Sequence, residues 1–169
     1  MLKASDLIDL DVTNIEREKV RVAELISLLG KEPIETKTRI ANELLEIVVN
    51  RDERIARRSQ AAFLLGTSSK TFGIAGAIGF SESLAKTLEV EYLSPTPTGI
   101  GISYRHGASN VIEADGLRAV FLQGLVFSIL AIDRVLGGTV VEKLYNRVID
   151  SKLRTWLASV SNISPSDRK

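Results

Sequence analysis

Leu88-Glu89-Val90-Glu91-Tyr92-Leu93 is the stretch on which the fold reading turns, together with Ser94-Pro95-Thr96-Pro97-Thr98-Gly99 and Ile100-Gly101-Ile102-Ser103-Tyr104-Arg105 behind it. Leu88, Val90 and Tyr92 alternate with Glu89 and Glu91. After a turn-rich Pro/Gly segment, Ile100, Ile102 and Tyr104 alternate with Gly101, Ser103 and Arg105. Alternation of period two on both sides of a turn predicts a β-hairpin. A lone hairpin is marginal in water, so it must lean on neighbouring structure.

On either side the apolar spacing is helical. Thr13 and Asn14 can cap a first helix, with Glu16 and Glu18 in its first turn; Val22, Leu25, Ile26 and Leu29 form its stripe and Gly30 ends it. Pro33 opens a second helix carrying Ile40, Leu44, Ile47 and Val48. A third is expected over 52–65, with Ile55, Ala62 and Phe63 inward and Gly66 as its stop. Ser81 or Ser83 can start a short helix leading into the hairpin. A long central helix is expected over 113–136, its core lined by Leu117, Val120, Phe121, Leu125, Ile129, Ile132 and Leu136. Leu122, Val126, Phe127 and Leu130 are apolar too, which implies packing on several sides. Gly137-Gly138 separates it from a last amphipathic helix with Val141, Leu144, Tyr145, Val148, Trp156, Leu157 and Val160. The expected fold class is mainly α: a helical bundle of five to six helices with a small inserted β-hairpin or β-subdomain. It forms one domain over 1–169, with a helical core at 13–86 and 111–160, a β insertion at 87–106 and a frayed tail at 161–169.

The 169 residues can bury one sizeable core, and 44% hydrophobic with 25% charged residues describes a globular chain. A formal net charge of +1 provides no overall field toward nucleic acid or membrane, so electrostatic binding must come from local patches. The absence of cysteine removes disulfides, thiolate catalysis and Cys-ligated zinc. The most apolar run, 119–132, is shorter than the roughly 20 residues a bilayer requires. A cytoplasmic protein with no metal and no cofactor is the expectation.

Motifs that suggest chemistry fail in detail. Gly66-Thr67-Ser68-Ser69-Lys70-Thr71 lacks the glycine before its lysine and follows a helix, so it reads as a connector and not as a phosphate loop. Gly73, Gly76 and Gly79 are three apart, a spacing that suits close helix packing better than dinucleotide binding. Gly79-Phe80-Ser81 does not continue into a nucleophile elbow. His106 has no nucleophile or orienting carboxylate beside it and reads as an exposed loop residue. Glu89 and Glu91 would share a strand face, where charge discourages edge pairing. An enzyme is therefore not expected.

The strongest candidate is basic. Arg51, Arg54, Arg57 and Arg58 fall close together, and on a helix Arg51, Arg54 and Arg58 would share a face. Lys143, Arg147 and Arg154 make a second stripe, and Arg105 lies at the hairpin end. Guanidinium forks suit phosphate, so these eight residues are the candidate nucleic-acid contacts; the alternative is a solvated face of ion pairs.

The layout resembles the small subunit of archaeal type I-A CRISPR Cascade complexes. The similar parts are Arg39-Ile40-Ala41-Asn42-Glu43-Leu44-Leu45, the Arg-rich segment after it, Phe80-Ser81-Glu82-Ser83-Leu84-Ala85-Lys86 and the apolar helix over 116–135. The resemblance spans about 39–148 and is one of arrangement. It implies a non-enzymatic subunit of a ribonucleoprotein complex, holding crRNA, target or displaced-strand DNA through backbone contacts that are weak for the isolated chain. Copies of the same chain are a further expected partner. The competing reading is a helical adaptor or viral-type assembly protein. It would act through protein contacts alone, at Ile100, Ile102 and Tyr104 and at the helix around 72–80.

Overall fold

Helical hydrogen bonding runs straight through residues 88–93. They form the last turns of a 16-residue helix, α5 (Ile78–Leu93). The computed structural model describes residues 1–10, 12–93, 108–132, 139–148 and 150–161. The first strand of the expected hairpin is thus overturned, and its turn and second strand, 94–105, lie outside the described residues. The physical reason is Glu91. Leu84, Leu88 and Glu91 are buried at helical spacing, while Val90 is 36% exposed. A core carboxylate and an outward valine together imitate the alternation of a strand.

The remaining helices are α1 (Ser5–Ile8), α2 (Ile15–Leu29), α3 (Ile34–Val49), α4 (Ile55–Thr67), α6 (Ala108–Ile132), α7 (Thr139–Arg147) and α8 (Ser151–Ser161). A 3-10 turn, Val12–Asn14, precedes α2, and no strand occurs among the described residues. Pro33, with φ at −57°, stands immediately before α3, where its missing N–H costs nothing. Asn14 precedes α2 without a side-chain capping bond. The last amphipathic segment is two helices. Asp150 Oδ1 accepts the Leu153 N–H at 2.8 Å and so caps α8, breaking the stripe that Val148 ends.

α4 and α6 are the centre of the molecule. Arg58 lies over Phe121, Phe63 stacks on Phe127, and Gly66 meets Ser128, so the contacts rise together along both helices and the two run parallel. α5 runs the other way. Its end reaches the start of α4 through Glu91 and Arg58, and the turn before it meets the end of α6 through Gly76 N–H to Ile132 O at 2.7 Å. A Cβ at Gly66 would lie 2.8 Å from the Ser128 backbone, so glycine here sets how closely the helices approach. Ser128 Oγ donates to Ala62 O across the same crossing. Gly73 and Gly76 hold φ of 70° and 77° in the turn before α5. They supply left-handed backbone there, and close helix packing falls to Gly66 instead.

Phe121, Leu125, Ile129 and Ile132 are fully buried, as their spacing predicts. Two residues expected inward are not: Phe63 is 55% and Val120 58% exposed. α1 closes one end, with Leu7 and Ile8 buried and the Ala4 N–H bonded to Glu43 Oε2 at 3.0 Å.

Candidate binding surfaces

The arginine-rich segment is taken apart by the fold. α4 begins at Ile55, so Arg51 and Arg54 precede the helix and share no helical face with Arg58. Arg58 is only 1% exposed. Its Nε donates to Val48 O at 2.8 Å and its Nη1 to Glu91 Oε1 at 2.8 Å, while its guanidinium lies 4.7 Å from the Phe121 ring centroid. Arg51 Nε donates to the same Glu91 oxygen at 3.3 Å. Two guanidinium groups therefore share one buried carboxylate oxygen. Its desolvation is offset only because both partners are held in place by three helices.

Arg57 takes a different course. It donates to Glu53 Oε2 at 2.6 Å and to Asp9 Oδ1 at 2.9 Å, tying α4 to the N-terminal segment. Burial pushes its proton affinity down, but Glu53 and Asp9 outweigh that and raise it above the ordinary arginine value. Burial also pushes the Glu53 carboxyl up, and the Arg54 N–H and Arg57 guanidinium more than reverse this, so it is held below its ordinary range. Arg54 stands exposed in front of α4.

The second stripe is looser. Lys143 and Arg147 are exposed on α7, and Arg147 Nη2 donates to Glu89 Oε2 on α5 at 3.0 Å. Arg154 is half-buried, its guanidinium 5.1 Å from the Tyr145 ring. Lys86, Lys143 and Arg147 line a groove of about 680 Å³ between α5 and α7, together with Glu82 and Glu89. Arg105 and His106 lie outside the described residues. Glu89 and Glu91 part company on the helix, one toward this groove and the other into the core.

A surface the sequence reading did not single out lies on α4 and α6. The Phe63 and Phe127 rings stack with centroids 5.6 Å apart and planes 24° from parallel, yet the two residues are 55% and 45% exposed. Val120, two helical turns before Phe127, is exposed as well. From Ser59 to Thr67 α4 carries no charged residue, and α6 carries none from Ala119 to Ile132. The signal is the all-round apolar character of α6, which implies packing on several sides without saying that one side stays open to a partner.

The chain matches no protein-family model, no curated protein and no solved structure. Among the described residues no helix is long and apolar enough to cross a membrane, and no three metal-ligating side chains come together.

Proposed function

We propose that this chain acts by binding, as a helical subunit of a larger assembly that docks through the uncharged face of α4 and α6. The observation carrying this reading is the exposed stacked pair Phe63 and Phe127. Large exposed apolar patches mark interaction sites, and aromatic anchors concentrate the energy of such contacts. A photo-crosslinking phenylalanine analogue at position 127, introduced in cells that naturally make the protein, tests it. A discrete adduct to a protein, lost when Phe63 is changed to Ser, is expected. Labelling of water alone removes the reading.

A second reading is favoured by the cations of the α5–α7 groove. Under it the chain is a subunit of an RNA-guided effector complex of the Cascade type, touching guide, target or displaced-strand phosphates through Lys86, Lys143 and Arg147. Three phosphate contacts give a log–log salt slope of only about −2 to −3, so neighbouring subunits must add affinity. Reversing Lys86, Lys143 and Arg147 to Glu should abolish nucleic-acid retention by the assembled complex. Retention unchanged by that reversal contradicts the reading.

A further inference from the structure

Phe127 belongs to a patterned face of α6. At 3.6 residues per turn Val120, Gly124, Phe127 and Ala131 fall within about 60° of one another around the helix. Val120 and Phe127 are exposed, while Gly124 and Ala131 are half-buried. Beyond Gly124 lies open space, since a Cβ there would meet nothing within 4 Å. The face thus alternates large apolar side chains with small ones. It is also symmetric in sequence position: Val120 and Ala131 lie equally far from the point between Leu125 and Val126, and so do Gly124 and Phe127. Rotating α6 end over end about that point brings each large residue level with a small one. Phe127 comes opposite Gly124, and Val120 opposite Ala131.

Charge supplies a second argument. No charged residue occurs from Ser59 to Thr67 on α4 or from Ala119 to Ile132 on α6. A two-fold axis sets side chains beside their own copies, where like charges would repel. An uncharged face escapes that penalty. It also lacks the opposite charges through which a partner of different sequence gains specificity. Because α4 and α6 run parallel, their dipoles add, and a copy turned end over end opposes them in a four-helix layer. The uncharged stretch of α6 is about 20 Å long, and two adjacent helices are about 20 Å across. Two such faces bury on the order of 1,000 Å² together, enough for a specific contact and small enough for a weak one.

We propose that the α4–α6 face takes a second copy of this chain in an isologous, antiparallel dimer. Phe127 of each copy lies over the partner's Gly124, and Val120 over the partner's Ala131. Phe63, stacked on Phe127, holds that ring in place and widens the contact. This inference rests on the docking face proposed above and names its occupant.

Sedimentation equilibrium of the full chain should show a reversible monomer–dimer equilibrium in the micromolar range. Gly124→Leu points its side chain into open space within one chain but fills the hollow that receives Phe127. It should keep the helical spectrum and weaken the dimer about tenfold or more. The chain has no cysteine, so introduced pairs can read the register. Positions 120 and 131 of one α6 are about 16 Å apart along the helix, beyond disulfide reach, whereas across the dimer they are level. Val120→Cys/Ala131→Cys should therefore oxidise to a covalent dimer. Val120→Cys alone should not, because its two copies are again about 16 Å apart. The proposal is overturned if the chain stays monomeric at about 100 µM, well above the range such an area predicts. It is equally overturned if folded Gly124→Leu dimerises as the unmodified chain does, or if the double cysteine variant fails to cross-link or the single one cross-links as readily. Its failure is distinct from that of the docking reading. A monomeric chain that still forms the position-127 adduct with another protein in cells keeps the docking face and loses the second copy; absence of both dimer and adduct removes both.

Discussion

Glu91 shows how one residue can mislead a sequence reading and still organise a fold. Its carboxylate accepts from Arg51 and Arg58 inside the molecule, so Glu91→Gln should leave two guanidinium groups short of their counter-charge and lower unfolding free energy by about 3–5 kcal/mol. Replacing the buried pair together, as Arg58→Met/Glu91→Leu, should cost clearly less in the same denaturant titration, because no uncompensated charge remains at the centre. Glu53 is the pH-sensitive counterpart. Its carboxyl titrates lower folded than unfolded, so its contribution is present above the ordinary carboxylate range. That contribution disappears as pH falls through the folded value. Glu53→Gln should therefore destabilise by about 0.5 kcal/mol at neutral pH. In acid its melting temperature should meet that of the unmodified chain.

Among the elements, the helices with a clean apolar stripe were legible and the ambiguous ones were not. In α3, Ile40, Leu44 and Val48 are fully buried at the spacing the sequence shows, and in α6 so are Phe121, Leu125, Ile129 and Ile132. Leu125→Ala should accordingly cost about 2–5 kcal/mol through lost burial and a cavity. A loss well under that range would mean the α6 core is looser than its burial indicates. The site was less legible, for two physical reasons. Sequence spacing cannot distinguish a solvated arginine from one whose carboxylate partner lies 33 residues away, as Glu91 does from Arg58. Nor can it say which side of the nearly all-apolar α6 stays uncovered, the side on which Val120 is exposed and on which Phe127 stacks with the exposed Phe63 of α4. Backbone chemical shifts of 88–93 provide the direct check on α5: helical Cα shifts are expected, and strand-like ones would restore the hairpin.

For the molecule as a whole, the consequence of Gly66 meeting Ser128 lies in time. The Ala62–Ser128 contact closes over 66 residues of chain, and α4 and α6 can run parallel only because α5 returns between them. Non-local closure of this kind slows folding relative to a bundle of simple hairpins, because chain entropy is lost before the contact forms. On the ribosome α4 emerges with Ala61, Ala62 and Leu65 ready for burial, well before Phe121 and Leu125 exist to cover them. The half-made protein then carries a sticky groove, the kind of surface that invites premature association. Gly66→Ala should lengthen that interval by opposing the docking of α6 on α4. Refolding after dilution from denaturant should be slower in this variant, with more material lost to aggregates as concentration rises. A crossing that only a glycine permits would then also be a late commitment in the making of the fold.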